Sequence, residues 1–323
     1  MKLITPEDYP DILARSRQPY MDKYLSMYST LLGGIVTDPT LMQLPLDDHL
    51  VHRGDGVFEV FYCIKGSMFN LTAHMERLER SAETLRITIP FSRPDLIELI
   101  KQTIRAGGQQ DSLIRLFLSR GPGSFGVNPY DCPEPQIYIV ISRPGADFMD
   151  THPGGARVMT SSIPVKPSMF ATIKSCNYLP NVMMKLEAVD AGMDFAIGKD
   201  ENGFLAEGAT ENFGILTTGN ELLFPDLGRV LRGTSMVRVS ELANQMVDEG
   251  VLNDVRFTHV SEEDAYKAAE CYILGTTPGI APIVEFNGRR IGNGKPGPIY
   301  QAIKNRLVKD AHENEAYRTP VWD

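Results

Sequence analysis

The sequence predicts an α+β protein of two domains, built mostly from antiparallel strands. Three observations lead there. The chain has 323 residues, a length that favours two domains or one large one. Short stretches of period-2 and period-3.6 hydrophobicity follow one another without the regular βαβ alternation of a doubly wound sheet. A stretch rich in Pro, Gly and Asp at 143–155 separates two halves. Residues 1–142 are therefore assigned to a smaller N-terminal α+β domain with a helical extension, 143–155 to a linker, and 156–323 to a larger C-terminal domain.

Taken in order, residues 1 to about 28 read as the helical extension, and residues 33 to about 46 as short strands and turns. Gly54-Asp55-Gly56 opens a strand over 57–63, where period 2 puts Phe58, Val60 and Tyr62 on one face. Lys65-Gly66 turns the chain into a second strand. Met75, Leu78, Ala82 and Leu85 follow the 3.6 period and predict a helix over 74–85. A further helix is expected over about 94–106, and strands over 113–119 and 136–142. Beyond the linker, a strand is expected at 157–162. A helix runs from about 180 to 191, opened by Pro180 and closed by Gly192. Strand pairs follow around Phe195, Phe204, Phe213 and Leu222. Met236, Val239, Leu242 and Met246 form one face of a helix, strands return at 271–274 and 281–286, and a last helix starts at Pro298.

Composition narrows the functional classes. Net charge is −9, with 23% charged residues of both signs scattered along the chain. That acidic balance argues against nucleic acid as a partner. With 42% hydrophobic residues a sizeable core can form, yet no run approaches the roughly 18 apolar residues of a membrane span. The N-terminal Met-Lys-Leu-Ile-Thr-Pro-Glu-Asp lacks the apolar centre of a signal peptide. Four scattered cysteines, Cys63, Cys132, Cys176 and Cys271, form no CxxC pair and read as reduced thiols of a cytoplasmic protein.

The chemistry concentrates in two segments. Ala171-Thr172-Ile173-Lys174-Ser175-Cys176-Asn177-Tyr178-Leu179-Pro180-Asn181 sets one lysine at the end of an apolar, β-prone run just ahead of a helix. Glu207 follows in Ala-Glu-Gly-Ala-Thr-Glu-Asn-Phe. A lysine that a carbonyl compound can reach, with a carboxylate in the next segment, suits a Schiff-base cofactor enzyme. Lys166 is the rival lysine, but Pro167 follows it and no Asn-Tyr does. Gly233-Thr234-Ser235 just before a helix offers unpaired N–H groups, hydroxyls and a helix dipole to an anion. His74 and Arg77 share a helix face at i and i+3.

Two patterns lead away from the site. Gly121-Pro122-Gly123-Ser124-Phe125-Gly126 has dinucleotide-loop spacing, but Val-Asn-Pro-Tyr-Asp-Cys-Pro follows, and no helix can start there to carry a pyrophosphate. His49 and His52 lack a third ligand in register, so no metal site is expected.

These motifs, with His74-x-x-Arg77-Leu78 and Gly275-Thr276-Thr277, resemble those of the class IV aminotransferases, the pyridoxal-phosphate enzymes of fold type IV. The likeness runs from about Met27 to Gly297. It implies two α/β domains with mostly antiparallel sheets, the C-terminal one barrel-like, and pyridoxal 5'-phosphate as cofactor. By the same resemblance Lys174 forms the Schiff base and carries the proton, Glu207 faces the ring nitrogen, and Tyr178 bonds the phenolate oxygen. Leu231 lies against the ring. Arg77, Thr234, Ser235 and Thr276 hold the phosphate. The family usually has Gly-Ile-Thr-Arg where this chain has Gly-Thr-Ser-Met, so Ser235 replaces the threonine hydroxyl and Met236 drops the arginine.

On the substrate side the resemblance implies Phe58, Tyr62, Arg115 and Thr277. Asp47-Asp48-His49-Leu50-Val51-His52-Arg53-Gly54 and Thr160-Ser161-Ser162-Ile163-Pro164-Val165-Lys166-Pro167 are most similar to plant-type D-amino-acid transaminases or aminodeoxychorismate lyases. Val60 stands where the lyases tend to carry threonine. Gly123 to Asn128 lacks the Arg-x-His of bacterial D-amino-acid transaminases, and Gly126-Val127-Asn128-Pro129 resembles branched-chain aminotransferases, which place a carboxylate-binding arginine at Arg115. The expectation is amino transfer between an α-amino acid, branched-chain or D-type, and a 2-oxo acid such as 2-oxoglutarate, in a homodimer. The alternatives are a lyase releasing pyruvate and 4-aminobenzoate, or a non-catalytic binding protein.

Overall fold

The computed structural model describes residues 1–322. Strand β1 (Tyr24–Ser29) turns back into β2 (Gly34–Val36). Strands β3 (Gly56–Ile64) and β4 (Ser67–Phe69) form a hairpin over Lys65-Gly66, both at positive φ, as a two-residue turn between right-twisted strands demands. With β5 (Ser112–Ser119) and β6 (Gln136–Ser142) they build the first unit's antiparallel sheet. Along β3 the residues Val57, Glu59, Phe61 and Cys63 are buried, while Phe58, Val60 and Tyr62 are half-buried. The buried face is covered by the helix Leu71–Leu85, which sets Met75, Leu78 and Ala82 against the sheet; the helix Arg93–Gly107 packs on β1 and β6.

The second unit begins with β7 (Ala156–Thr160), followed by the helix Leu179–Asp190 and by β8 (Phe195–Lys199), β9 (Leu205–Gly208) and β10 (Asn212–Leu216). Strands β11 (Glu221–Pro225), β12 (Asp254–Thr258), β13 (Glu270–Gly275), β14 (Gly279–Phe286) and the short β15 (Arg289–Arg290) complete its sheet. The pairing runs β9-β10-β13-β14-β7-β8 and returns from β8 to β9, closing a barrel of six strands. Facing positions fill its interior: Phe213 opposes Ile273, Ile215 opposes Cys271, and these join Ala281, Ile283, Val158 and Ile197 in one core. A barrel this narrow has room for side chains and little else. The alternate residues Leu222, Phe224, Tyr272 and Leu274 pack outward on the helices Thr234–Asp248 and Pro298–Glu313 through Met236, Val239, Ala243, Tyr300 and Ile303.

The chain divides into two compact units, Met1–Pro144 with Ser175–Asn177 and the tail from Ala316, and Gly145–Lys174 with Tyr178–Glu315. Several expectations need correction. The extension is α-helical only over Tyr9–Ser16, with 3-10 turns at Pro6–Asp8 and Pro19–Lys23; Arg17 is extended, and β1 follows because its residues pair with β6. The stretch assigned to a linker belongs in part to the second unit, since Phe148 and Met149 pack on the barrel core. Residues 318–320 form β16 (Arg318–Pro320), which pairs with β4 in the first unit, whereas the sequence reading ran the C-terminal domain to residue 323. The run before Lys174 is a short helix, Ser168–Ala171, and no strand. Among the described residues no helix is long and apolar enough to cross a membrane, and no two of the four cysteines form a disulfide.

Candidate active site

Lys174 sits in irregular backbone between two helices, half-buried. Its amine reaches the Tyr178 hydroxyl at 3.5 Å, the long limit of a hydrogen bond. Tyr178 immediately precedes the helix Leu179–Asp190, whose second residue is Pro180, so the tyrosine is fixed to a rigid element. Lys166 approaches the same tyrosine from its ring face, with Nζ 5.2 Å from the centroid, within cation–π range.

Glu207 lies near the end of β9 and is only 9% exposed. Its Oε2 accepts from the Leu231 N–H at 3.0 Å and, at 3.4 Å, from the Asn212 amide. Burial pushes its carboxyl up to about 7; the Leu231 N–H and the charges of Lys166 and Lys174 pull the other way, and Glu211 adds to the rise. Glu211 itself folds back on the loop and accepts from the Thr210 backbone and hydroxyl. Lys166, Tyr178, Asn181, Glu207, Asn212 and Leu231 line one pocket, where the Asn181 Oδ1 is buried without a hydrogen-bond partner.

Asn212 ties this pocket to the helix beyond it. It pairs with Glu207 across β9–β10, and its amide donates to the Leu231 carbonyl at 2.9 Å. Its Oδ1 lies 1.8 Å from where a Cβ on Gly233 would stand, so only glycine fits there. Gly233 begins the helix Thr234–Asp248, whose N-terminus no side chain caps. Its first-turn N–H groups stand at that end with the Thr234 and Ser235 side chains. Met236 is fully buried among the outer-core residues, so the position has become a packing residue. Leu274 opposes Asn212 on the other side, which sets the turn Thr276-Thr277-Pro278 at the same end of the barrel.

The remaining candidates lie in the first unit. Arg77 is buried and grips Glu59, with Nε donating to Oε1 at 2.8 Å and Nη2 to Oε2 at 2.7 Å; His74 Nδ1 shares Oε2 at 2.7 Å. Phe58 stacks on Phe117, and Arg115 opposes Val60 and donates to the Ser142 hydroxyl at 3.1 Å. Phe58, Tyr62 and Arg115 share the half-exposed face of the sheet; Glu59 is on the opposite, helix-covered face. The structure thus gathers Lys174, Tyr178, Glu207, Leu231, Thr234, Ser235 and Thr276 in the second unit, and Arg77, Phe58, Tyr62 and Arg115 in the first. Glu59, Asn212 and the inward lysine Lys166 were not assigned roles from sequence. The strand period put position 59 on the face opposite Phe58, Val60 and Tyr62, and the structure buries that face, where a carboxylate needs a cation.

The two distracting patterns resolve locally. A Cβ on Gly121 or Gly123 would strike the Glu134 or Asp131 carbonyl, and a 3-10 turn at Pro129–Asp131 follows. His49 bonds Asp55 at 3.2 Å, and among the described residues no three His, Cys, Asp or Glu are grouped to hold a metal.

Residues 56–286 match the family model described as amino-transferase class IV. The chain is 40% identical to an Arabidopsis thaliana protein named D-amino-acid transaminase, chloroplastic, over 92% of this chain and 78% of that one. It is 34% identical to a putative branched-chain-amino-acid aminotransferase of Methanocaldococcus jannaschii, over 85% of this chain and 94% of the relative. A crystal structure of a T.th. branched-chain amino acid aminotransferase with pyridoxamine 5'-phosphate superposes with a TM-score of 0.84 at 27% identity, covering 93% of this chain and 99% of that one.

An antiparallel α+β unit and a six-stranded barrel unit are the two parts of the fold type IV architecture. The chain belongs to the class IV aminotransferases, which are transaminases that use pyridoxal phosphate. The second unit's residues fit that group: an amine, a phenol, a buried carboxylate, and an uncapped helix N-terminus that Gly233 leaves open.

Proposed function

We propose that the protein moves an amino group between an α-amino acid, branched-chain or D-type, and a 2-oxo acid such as 2-oxoglutarate, by ping-pong turnover with Lys174 as the catalytic residue. The observation that carries this reading is the Lys174 amine 3.5 Å from the Tyr178 hydroxyl, with the buried Glu207 carboxylate beside the same tyrosine's pocket. When bound, pyridoxal phosphate supplies an electron sink for removal of the substrate α-proton. Lys174 would hold the cofactor through its amine and would move the substrate α-proton. Glu207 would favour a proton on the ring nitrogen, Tyr178 would donate to the phenolate oxygen, and Leu231 would pack against the ring. Arg77, Thr234, Ser235 and Thr276 bind the phosphate by charge and dipole. Phe58, Tyr62, Arg115 and Thr277 receive the substrate.

Two further parts of the reading have their own support. The outward face of the helix Leu179–Asp190 exposes Leu179, Val182, Met183, Leu186 and Val189, an apolar stripe suited to a second copy in a homodimer. Four cysteines with no disulfide among the described residues suit a reducing, cytoplasmic setting.

The test is a panel of single D- and L-amino acids mixed with the cofactor-loaded protein, followed by absorbance. Conversion of the cofactor to its amine form by one amino-acid class, reversed by a 2-oxo acid, is expected. Pyruvate release from aminodeoxychorismate without that conversion overturns the reading in favour of a lyase.

A further inference from the structure

One side of the Glu207 pocket is a wall a single chain thick. Lys166, Ala171 and Ile173 line the pocket from within. Between them Pro167, Met169 and Phe170 are exposed to solvent. Leu231 lines the same pocket from another loop. Glu201 ties the two parts together. It stands in the turn between β8 and β9, which the Asp200 carboxylate closes by accepting from the Asn202 and Phe204 N–H groups at 2.9 and 3.0 Å. Glu201 Oε1 accepts from the Ser168 N–H at 2.8 Å and from the Ser168 hydroxyl at 2.7 Å. Its Oε2 accepts from Arg229 Nη1 at 2.7 Å, and the same nitrogen donates to the Ser168 hydroxyl oxygen at 3.1 Å. Arg229 leads into Leu231 from a turn in which its own N–H donates to the Asp226 carbonyl at 2.9 Å.

We propose that Ser168, Glu201 and Arg229 form a latch: the cluster holds the 166–170 segment against the Leu231 loop, and its opening sets how fast the cofactor enters and leaves the pocket. Turns fix Glu201 and Arg229, so the movable partner is Ser168. It begins a helix of four residues, Ser168–Ala171, which is too short to hold itself together. The segment is anchored at both ends. The Val165 N–H donates to the Lys199 carbonyl at 3.2 Å, and Ala171 and Ile173 are buried. The side chains of Glu201 and Arg229 are 50% and 29% exposed, so water competes for every bond of the cluster. Bonds of that kind open and re-form readily, as a gate requires. Glu201 and Arg229 are positioning residues, since neither lines the pocket. From the reading above the proposal takes only the place of the cofactor in this pocket.

The experiment mixes full-length, cofactor-free protein with pyridoxamine 5'-phosphate, which carries no aldehyde to link to a lysine, and reads entry and exit rates by stopped-flow fluorescence. In Glu201→Ala and in Arg229→Met both rates are expected to rise about three- to tenfold, while their ratio, the Kd, stays within about twofold. Glu201→Gln keeps an acceptor for the Ser168 N–H but not the charge, and is expected to fall between. Circular dichroism checks folding, and Arg229→Met carries the test where Glu201→Ala unfolds. Rates equal to those of wild type in a folded variant overturn the latch. So does a weaker Kd with an unaltered entry rate, which would make the cluster a part of the pocket's shape. Hydrogen exchange of the cofactor-free protein keeps the two ideas apart. The amides of 166–171 are expected to exchange about three- to tenfold faster in the variants, with those of β13 unaltered. Unaltered exchange at 166–171 with ordinary cofactor binding removes only the latch. Faster exchange in a protein that binds no pyridoxamine 5'-phosphate removes the reading of the pocket, and the gating with it.

Discussion

The Arg77 guanidinium occupies both oxygens of the Glu59 carboxylate, a two-point grip on a side chain that is fully buried. Burial raises the Glu59 carboxyl, but the charge and hydrogen bonds of Arg77, then those of His74, outweigh it and hold the group at about 2. A carboxyl depressed in the folded state stabilises above its unfolded value of 4.5 and loses that contribution as pH falls toward 2. The stake is about 3 kcal/mol. Glu59→Gln should therefore lower stability near neutral pH by about that amount in urea melts, and flatten the acid limb of the stability profile. It should also loosen cofactor retention, since Arg77 would lose its fixed orientation. An unchanged melt at pH 7 would discount the grip as a stabilising contact.

Lys174→Ala should abolish turnover and the visible band of lysine-bound cofactor, although Lys166 remains in the pocket. Absorbance across neutral and mildly alkaline pH is the measurement, and a persisting band would transfer the role to Lys166.

Glu207 carries the opposite linkage. Its carboxyl is raised to about 7, mainly by burial, so the folded, cofactor-free protein binds an extra proton between about 4.5 and 7. Stability should fall as pH rises through that window, by about 3 kcal/mol in all. Glu207→Gln should remove the slope and make the cofactor-free protein more stable than wild type at pH 8. The same variant should keep cofactor but slow transfer on the order of 100-fold or more, because a neutral ring nitrogen withdraws electrons poorly. Thermal melts across pH and single-turnover rates read the two effects separately.

Gly233→Ala should cost about 1–3 kcal/mol, the usual penalty of forcing a methyl into filled space. The added carbon would displace the Asn212 side chain and with it the bond to Leu231. The expected signature is weaker cofactor retention on gel filtration, and Asn212→Ala in the same background should recover part of the melting temperature.

Charging the outward stripe tests the assembly. Val182→Glu with Leu186→Glu places two carboxylates at i and i+4 on the exposed helix face. Light scattering should then report half the wild-type mass, and a wild-type mass that is already that of one chain would remove the homodimer.

Periodicity made the individual elements legible, because an apolar stripe at the strand or helix period marks residues that share a face. It placed Phe58, Val60 and Tyr62 together on β3, and Met236 and Val239 on the packed side of their helix. It did not distinguish β1 from the helical extension, since Tyr24–Ser29 is a strand only by pairing with β6. Closure of the barrel was equally hidden: it depends on the Glu207–Asn212 and Ile197–Gly208 pairings between strands of four or five residues. In the site, residues that stand in recognisable motifs were readable one by one. Glu59, Asn212 and Lys166 were not, because each matters through a neighbour that only folding supplies.

The return of residues 318–320 to β4 has a practical consequence. A gene truncated after Pro144 would produce a sheet whose outer strand lacks its mate, with amide and carbonyl groups free to recruit any extended peptide. Trp322, which lies 3.2 Å from the space a side chain at Gly66 would fill, would be missing as well. Such a fragment should precipitate on expression, and a short synthetic tail added in trans should rescue its solubility.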